Sequence, residues 1–205
     1  DSTQGWINTM DSTSNVRGTT FICASGGTET TSGDYKIHTF TGDSTFTVNS
    51  VASDASNNVV DYLVVAGGGG GGQNGGGGGG GGGARMSAGT STGCYTSSPL
   101  GSCVSGITVT ATSFPITIGG SGAGSSSGPV KGANGTNSVF STITSAGGGG
   151  GGSTGSEPGS PGGSGGGVRS NGSGTIGAGN TPPVSPPQGN NGGAPSSGDY
   201  RGTGG

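Results

Sequence analysis

The chain has 205 residues, of which 56 are glycine, 24% hydrophobic and 7% charged, and its formal net charge is −3. It lacks the strict Gly-X-Y repeat of collagen, and its low charge is unlike the Lys- and Glu-rich composition of disordered chains. Its six Lys and Arg, at 17, 36, 85, 131, 169 and 201, form no basic stripe for a phosphate backbone, and no apolar run reaches the ~20 residues that span a bilayer, so neither nucleic acid nor membrane insertion is expected.

In chain order, residues 1–18 precede the first β-prone run. Residues 19–66 read as a small antiparallel β unit. Its short β-prone runs, Thr19–Cys23, Tyr35–Phe40, Thr45–Val48 and Val59–Ala66, are separated by Gly-Gly, Ser-Gly-Asp and Gly-Asp-Ser turns. Alternation in Tyr35–Phe40 puts Tyr35, Ile37 and Thr39 on one face and Lys36, His38 and Phe40 on the other, which predicts a strand buried on at least one side. Helix signals are absent throughout.

Residues 67–205 form a glycine-rich region interrupted by two β-like insertions, 107–118 and 138–144. Fixing a glycine costs roughly 1–2 kcal/mol of backbone entropy, while a hydrogen bond returns a net of about 0.5–1.5 kcal/mol. Ordered glycine runs at Gly67–Gly72 and Gly75–Gly83 therefore require many backbone partners at once. The expected device is a bundle of left-handed, three-residue-per-turn polyglycine II helices, about 19 and 28 Å long for six and nine residues. Residues 147–152 would add another helix. Gly78→Val is expected to be severely disruptive if that Cα faces a neighbouring helix. The later Gly, Pro and Ser texture, densest at Thr181–Gln188, is compatible with capping or continuing such helices. The fold class is thus mainly β with a polyglycine II bundle and no α-helix.

Chemistry is sparse. The lone histidine, His38, has no assignable nucleophile, and Asp34, Asp43, Asp54 and Asp61 lack the dense acidic pattern of a calcium loop and read as turn formers. The glycine runs lack the Lys-Ser/Thr of a phosphate-binding loop. No enzyme activity, cofactor or metal is expected. Cys94 and Cys103 bracket a turn-rich loop and either form a disulfide or remain as two small thiols; Cys23 has no obvious mate.

The succession Ser32-Gly-Asp-Tyr-Lys-Ile-His-Thr-Phe-Thr-Gly42, Thr45-Phe-Thr-Val48 and Val60-Asp-Tyr-Leu-Val-Val-Ala-Gly-Gly-Gly69, followed by Phe114-Pro-Ile-Thr-Ile-Gly119 and Asn137-Ser-Val-Phe-Ser-Thr-Ile-Thr-Ser-Ala-Gly-Gly148, resembles the glycine-rich domain of tailed-phage structural proteins and tail fibres, notably of marine and freshwater hosts. Residues 2–7 resemble the exit from an upstream fibre segment in such proteins, which implies that residues 1–18 are a connection from that segment. The resemblance implies a virion or extracellular location and a glycine-helix bundle presenting loops to a host surface protein or polysaccharide. A tail-fibre attachment module is thus the leading expectation, with a self-assembling extracellular filament or bacterial surface adhesin second and an ice-binding protein third. The small apolar content predicts self-association, as a homotrimer or filament, with Trp6 covered by a neighbouring subunit or by the preceding fibre segment. Contact residues are expected in the loops 85–104 and 153–200 and just beyond: Arg85, Met86, Tyr95, Leu100, Arg169, Gln188, Tyr200 and Arg201.

Overall fold

The computed structural model describes residues 20–88, 104–127, 129–153, 157–169, 174–194 and 202–205. Among these the fold is mainly β, without α-helix; the one helical element is a single 3-10 turn, Ala55–Asn57, capped by Asp54. Eleven short strands occur in order: β1 (Cys23–Ser25), β2 (Thr28–Ser32), β3 (Tyr35–Thr39), β4 (Ser44–Ser50), β5 (Val59–Val60), β6 (Leu63–Val65), β7 (Ala84–Met86), β8 (Ile107–Thr108), β9 (Ser113–Thr117), β10 (Ser138–Phe140) and β11 (Ile143–Ser145).

The main sheet has the antiparallel order β1-β4-β9-β10-β11, so both later insertions join the strands of the first β unit in a single sheet. Two-stranded pairs β2-β3, β5-β8 and β6-β7 complete the β structure. Phe46 and Val48 of β4 turn inward with Ala24, Ile116 and Phe140, and Val64 of β6 and Val109 complete the core. Phe46 lies at its centre, edge-on to Phe40 and Phe140 and tilted against Phe114 at centroid separations of 6.0–6.4 Å. Such pairs add about 0.5–1.5 kcal/mol beyond the area they bury.

The expected one-sided burial of the Tyr35 strand is met only in part, at His38 and Phe40 on one face. Tyr35 and Ile37 are 53% and 45% exposed, and every residue of β2 is exposed, because β2 and β3 pair only with each other as a hairpin. Within β3, His38 is the half-buried exception. Its Nδ1 lies 2.8 Å from the Gly26 carbonyl oxygen and its ring meets Phe46 edge-on at 5.1 Å.

The glycine segments continue the strands. β6 runs into 66–72, 77–83 runs into β7, β9 leads to 119–125, 132–137 leads to β10, and β11 opens 146–152. Their backbone hydrogen bonds recur every third residue. Amide groups of Ala66, Gly69 and Gly72 donate to Gly83, Gly80 and Gly77; those of Gly67 and Gly70 donate to Thr136 and Ala133; and carbonyls of Gly68 and Gly71 accept from Gly122 and Ser125. A flat strand addresses its neighbours at every second residue, in one plane. Here these three rows and a fourth, in which the Gly148 and Gly151 amides donate to the Gly67 and Gly70 carbonyls, join one segment to four neighbours.

That geometry explains where glycine is obligatory. Segment 147–152 has neighbours on all sides, and a Cβ on any of its six glycines would lie within 2.2 Å of a backbone oxygen. Segment 66–72 has an open side: a Cβ on Gly68 or Gly71 would meet nothing closer than 3.7 Å, whereas Gly69 and Gly70 are sealed. Peripheral segment 132–137 needs glycine only every third position, at Gly132 and Gly135, and its Asn134 and Asn137 side chains accept from Gly150 and Gly147 at 2.8 and 2.9 Å. Amide side chains thus extend the same three-residue rhythm.

Candidate functional site

The ladder has two unlike ends, and those of the expected contact residues that the structure describes divide between them. At the sheet end, Arg85 and Met86 lie in β7, not in a loop, paired with Val64 and Leu63. Register puts Leu63, Val65, Ala84 and Met86 on one face, of which Leu63 and Val65 are 64% and 53% exposed. Arg85 and Met86 also line a cleft of about 10 Å³ with Tyr62, Val104 and Pro186. That is room for about one water. Burial pushes the Tyr62 phenol above its ordinary range, and the Arg85 charge opposes the shift. Ser87 organises this corner: its hydroxyl donates to Asp61 Oδ1 at 2.8 Å and accepts from the Tyr62 amide at 3.0 Å.

Gln188, expected among exposed contact residues, is instead only 1% exposed. Its Oε1 accepts from the Ala146 amide at 2.7 Å, its Nε2 donates to the Pro182 carbonyl at 2.9 Å, and its own carbonyl accepts from the Ala84 amide. A long amide side chain has both donor and acceptor, so it satisfies backbone groups that converge where glycine segments meet the sheet. Gln188 is a structural pin and is unavailable to a partner.

At the opposite end, segment 66–72 turns through Gln73, Asn74 and Gly75 into the next. The Gly76 amide donates to the Gln73 carbonyl at 3.1 Å, while Asn74 and Gly75 have φ of 56° and 73°. Two successive left-handed residues make the tight reversal for which Asn-Gly is suited. Ser125, Gly132, Gly152 and Glu157 also lie toward this end, and Arg169 follows segment 162–168 there. Tyr95, Leu100, Tyr200, Arg201, Cys94, Cys103 and Trp6 lie outside the described residues. Cys23 is exposed and free.

A model for the glycine-rich domain family matches residues 39–205. The chain belongs to that family. The matched part of this glycine-rich domain begins at the last residue of β3 and takes in β4, the later sheet strands and the whole ladder. The β2 strand and most of its hairpin precede it. No curated protein and no solved structure matches the chain.

Sequence reasoning passed over Gln73. Its signal was the Gln-Asn interruption between two glycine runs, a turn marker that puts a long polar side chain at the end of the ladder. Among the described residues no group of three or more His, Cys, Asp and Glu gathers as a metal site, and no helix is long and apolar enough to cross a membrane.

Proposed function

We propose that the glycine segments are polyglycine II helices packed as a bundle, and that the chain is a non-enzymatic structural and receptor-binding module of a tailed-phage tail fibre. The three-residue interval of the backbone ladder supports the bundle, since a helix of three residues per turn directs successive amides toward three neighbours. The attachment role rests on the two-ended layout. A ladder anchored in a sheet at one end exposes its turns at the other, where a substitution leaves the ladder bonds in place. The partner on this reading is a host-surface protein or polysaccharide, the location is the virion, and the assembly is a homotrimer.

Immunogold electron microscopy with antibodies raised against the folded chain tests this reading. Label at the distal ends of virion tail fibres is the expected result. Regular label along an open cellular filament would transfer the role to a filament or surface adhesin, and virions without label would overturn the fibre assignment.

A further inference from the structure

We propose that the turn end of the ladder carries a binding site for an anionic sugar, built on Arg169 and Gln73. Among the described residues, only two buried side-chain polar atoms lack a hydrogen-bond partner: Arg169 Nε and Gln73 Oε1. They border the same reversal. Gln73 opens the turn closed by the Gly76 amide, and a Cβ placed on Gly75, within that turn, would lie 3.7 Å from Arg169 Nε.

The two atoms are chemically complementary. Gln73 Nε2 donates to the Ser126 carbonyl at 2.9 Å, which fixes the amide's orientation and leaves Oε1 as an unused acceptor. The Arg169 guanidinium offers N–H donors and no acceptor, and no carboxylate pairs with it among the described residues. A buried acceptor or cationic donor without a partner is costly, and elsewhere the fold avoids that cost. Each residue is half-buried as a whole, so the two buried atoms lie just beneath the surface of the turn end.

Charge along the chain agrees. Seven of the nine carboxylates fall at or before Asp61, while Lys131, Arg169 and Arg201 lie in the later part against Glu157 and Asp199. An acidic protein therefore has excess positive charge in its ladder region. A ligand matching the pair offers an oxyanion to the guanidinium and a hydroxyl donor to the amide oxygen. A sugar bearing a carboxylate or phosphate has both on one ring. A neutral sugar leaves the cation uncompensated, and a simple anion leaves the Gln73 acceptor unmet.

This inference deepens the attachment reading and rests on it for its biological setting. Its test uses the full chain labelled with ¹⁵N and follows the Arg169 Nε–H resonance during titration with methyl β-glucuronide, glucose 6-phosphate, neutral methyl β-glucoside and a Glu-rich peptide. A saturable shift with at least one acidic sugar is expected, and comparing the two tells carboxylate from phosphate. The neutral sugar and the peptide should give no such shift at equal concentration. Gln73→Leu should weaken acidic-sugar binding at least several-fold, and Arg169→Lys, monitored through backbone amides of 72–76, should do the same, with melting temperatures verifying both folds.

No saturable shift with either acidic sugar, an equal shift from the neutral sugar or peptide, or unchanged affinity in Gln73→Leu would overturn the site. Fibre tips that label while Arg169 stays silent would sink the sugar site and keep the attachment role. A saturable Arg169 response in a protein absent from virions would keep the site and sink that role.

Discussion

Gly69 and Gly68 are neighbours in sequence with opposite predicted responses to the same methyl group. A Cβ at Gly69 would lie 2.2 Å from the Gly149 carbonyl oxygen and 2.5 Å from its carbon, so the two segments must separate by roughly 1 Å to reach ordinary contact. Overpacking of this kind costs about 1–3 kcal/mol. The same separation stretches the bonds from Gly148 to Gly67 and from Gly151 to Gly70, now both 2.9 Å. Losing them costs another ~1–3 kcal/mol at their usual net worth. Gly69→Ala should therefore destabilise by about 2–6 kcal/mol, a melting-temperature fall on the order of 10 °C for a chain of this length. At Gly68 the nearest atom to a Cβ is 3.7 Å away and φ lies outside the left-handed range. Gly68→Ala removes unfolded-state freedom and should stabilise by about 0.4–1 kcal/mol. Urea unfolding of the two full-length variants against wild type gives both values. Equal destabilisation by both substitutions, or a Gly69→Ala midpoint matching wild type, would refute the close-approach argument.

Gln188→Leu leaves the Ala146 amide and the Pro182 carbonyl without their side-chain partner and should cost about 2–6 kcal/mol in urea unfolding, from ~1–3 kcal/mol per orphaned group; a near-neutral result would mean that Gln188 is not a pin. Phe46→Ala removes the centre of the aromatic cluster and should cost about 3–5 kcal/mol by the same assay, with under 1 kcal/mol contradicting its central position. The folded protein holds the Tyr62 proton more tightly than the unfolded chain, so the Tyr62 contribution is intact below its ordinary value of 10.0 and is lost as pH rises through the higher folded value. Tyr62→Phe should flatten that alkaline decline in stability, and an equally steep decline in the variant would contradict the assignment.

Where apolar alternation coincided with real burial, the fold was legible in the sequence. Thr45–Val48 and Val59–Ala66 announced β4, β5 and β6 because Phe46, Val48 and Val64 supply the core. Thr28–Ser32 gave no such signal, since β2 is held only by pairing with β3 and buries nothing. The glycine ladder was half legible. Composition indicated close backbones, but it did not tell which glycines were sealed: Gly78, singled out as a test position, has its nearest neighbour at 3.0 Å, while Gly77 and Gly79 on either side meet backbone at 2.2 and 2.0 Å. The three-residue spacing of Gly132 and Gly135 carried that information for the periphery, because a segment with one covered side needs glycine only there. In a segment covered on every side the run is uniform and its phase disappears. Gln188 and Gln73 were hidden for another reason. Nothing local separates an amide that pins backbone from one that faces solvent, or from one left with an unused acceptor.

The separation in sequence between ladder partners governs how this chain must be made. The segment at 66–72 takes one neighbour from the adjacent residues 77–83, but Gly67 and Gly70 await Gly148 and Gly151. At ~5–20 residues per second, those roughly 80 residues take about 4–16 s to emerge from a ribosome. Throughout that wait the nascent glycine tract has no side chains to associate with those of other chains. A hydrophobic segment held open for as long would be a hazard. Building the ladder from the least adhesive residue makes late, long-range closure compatible with crowded synthesis.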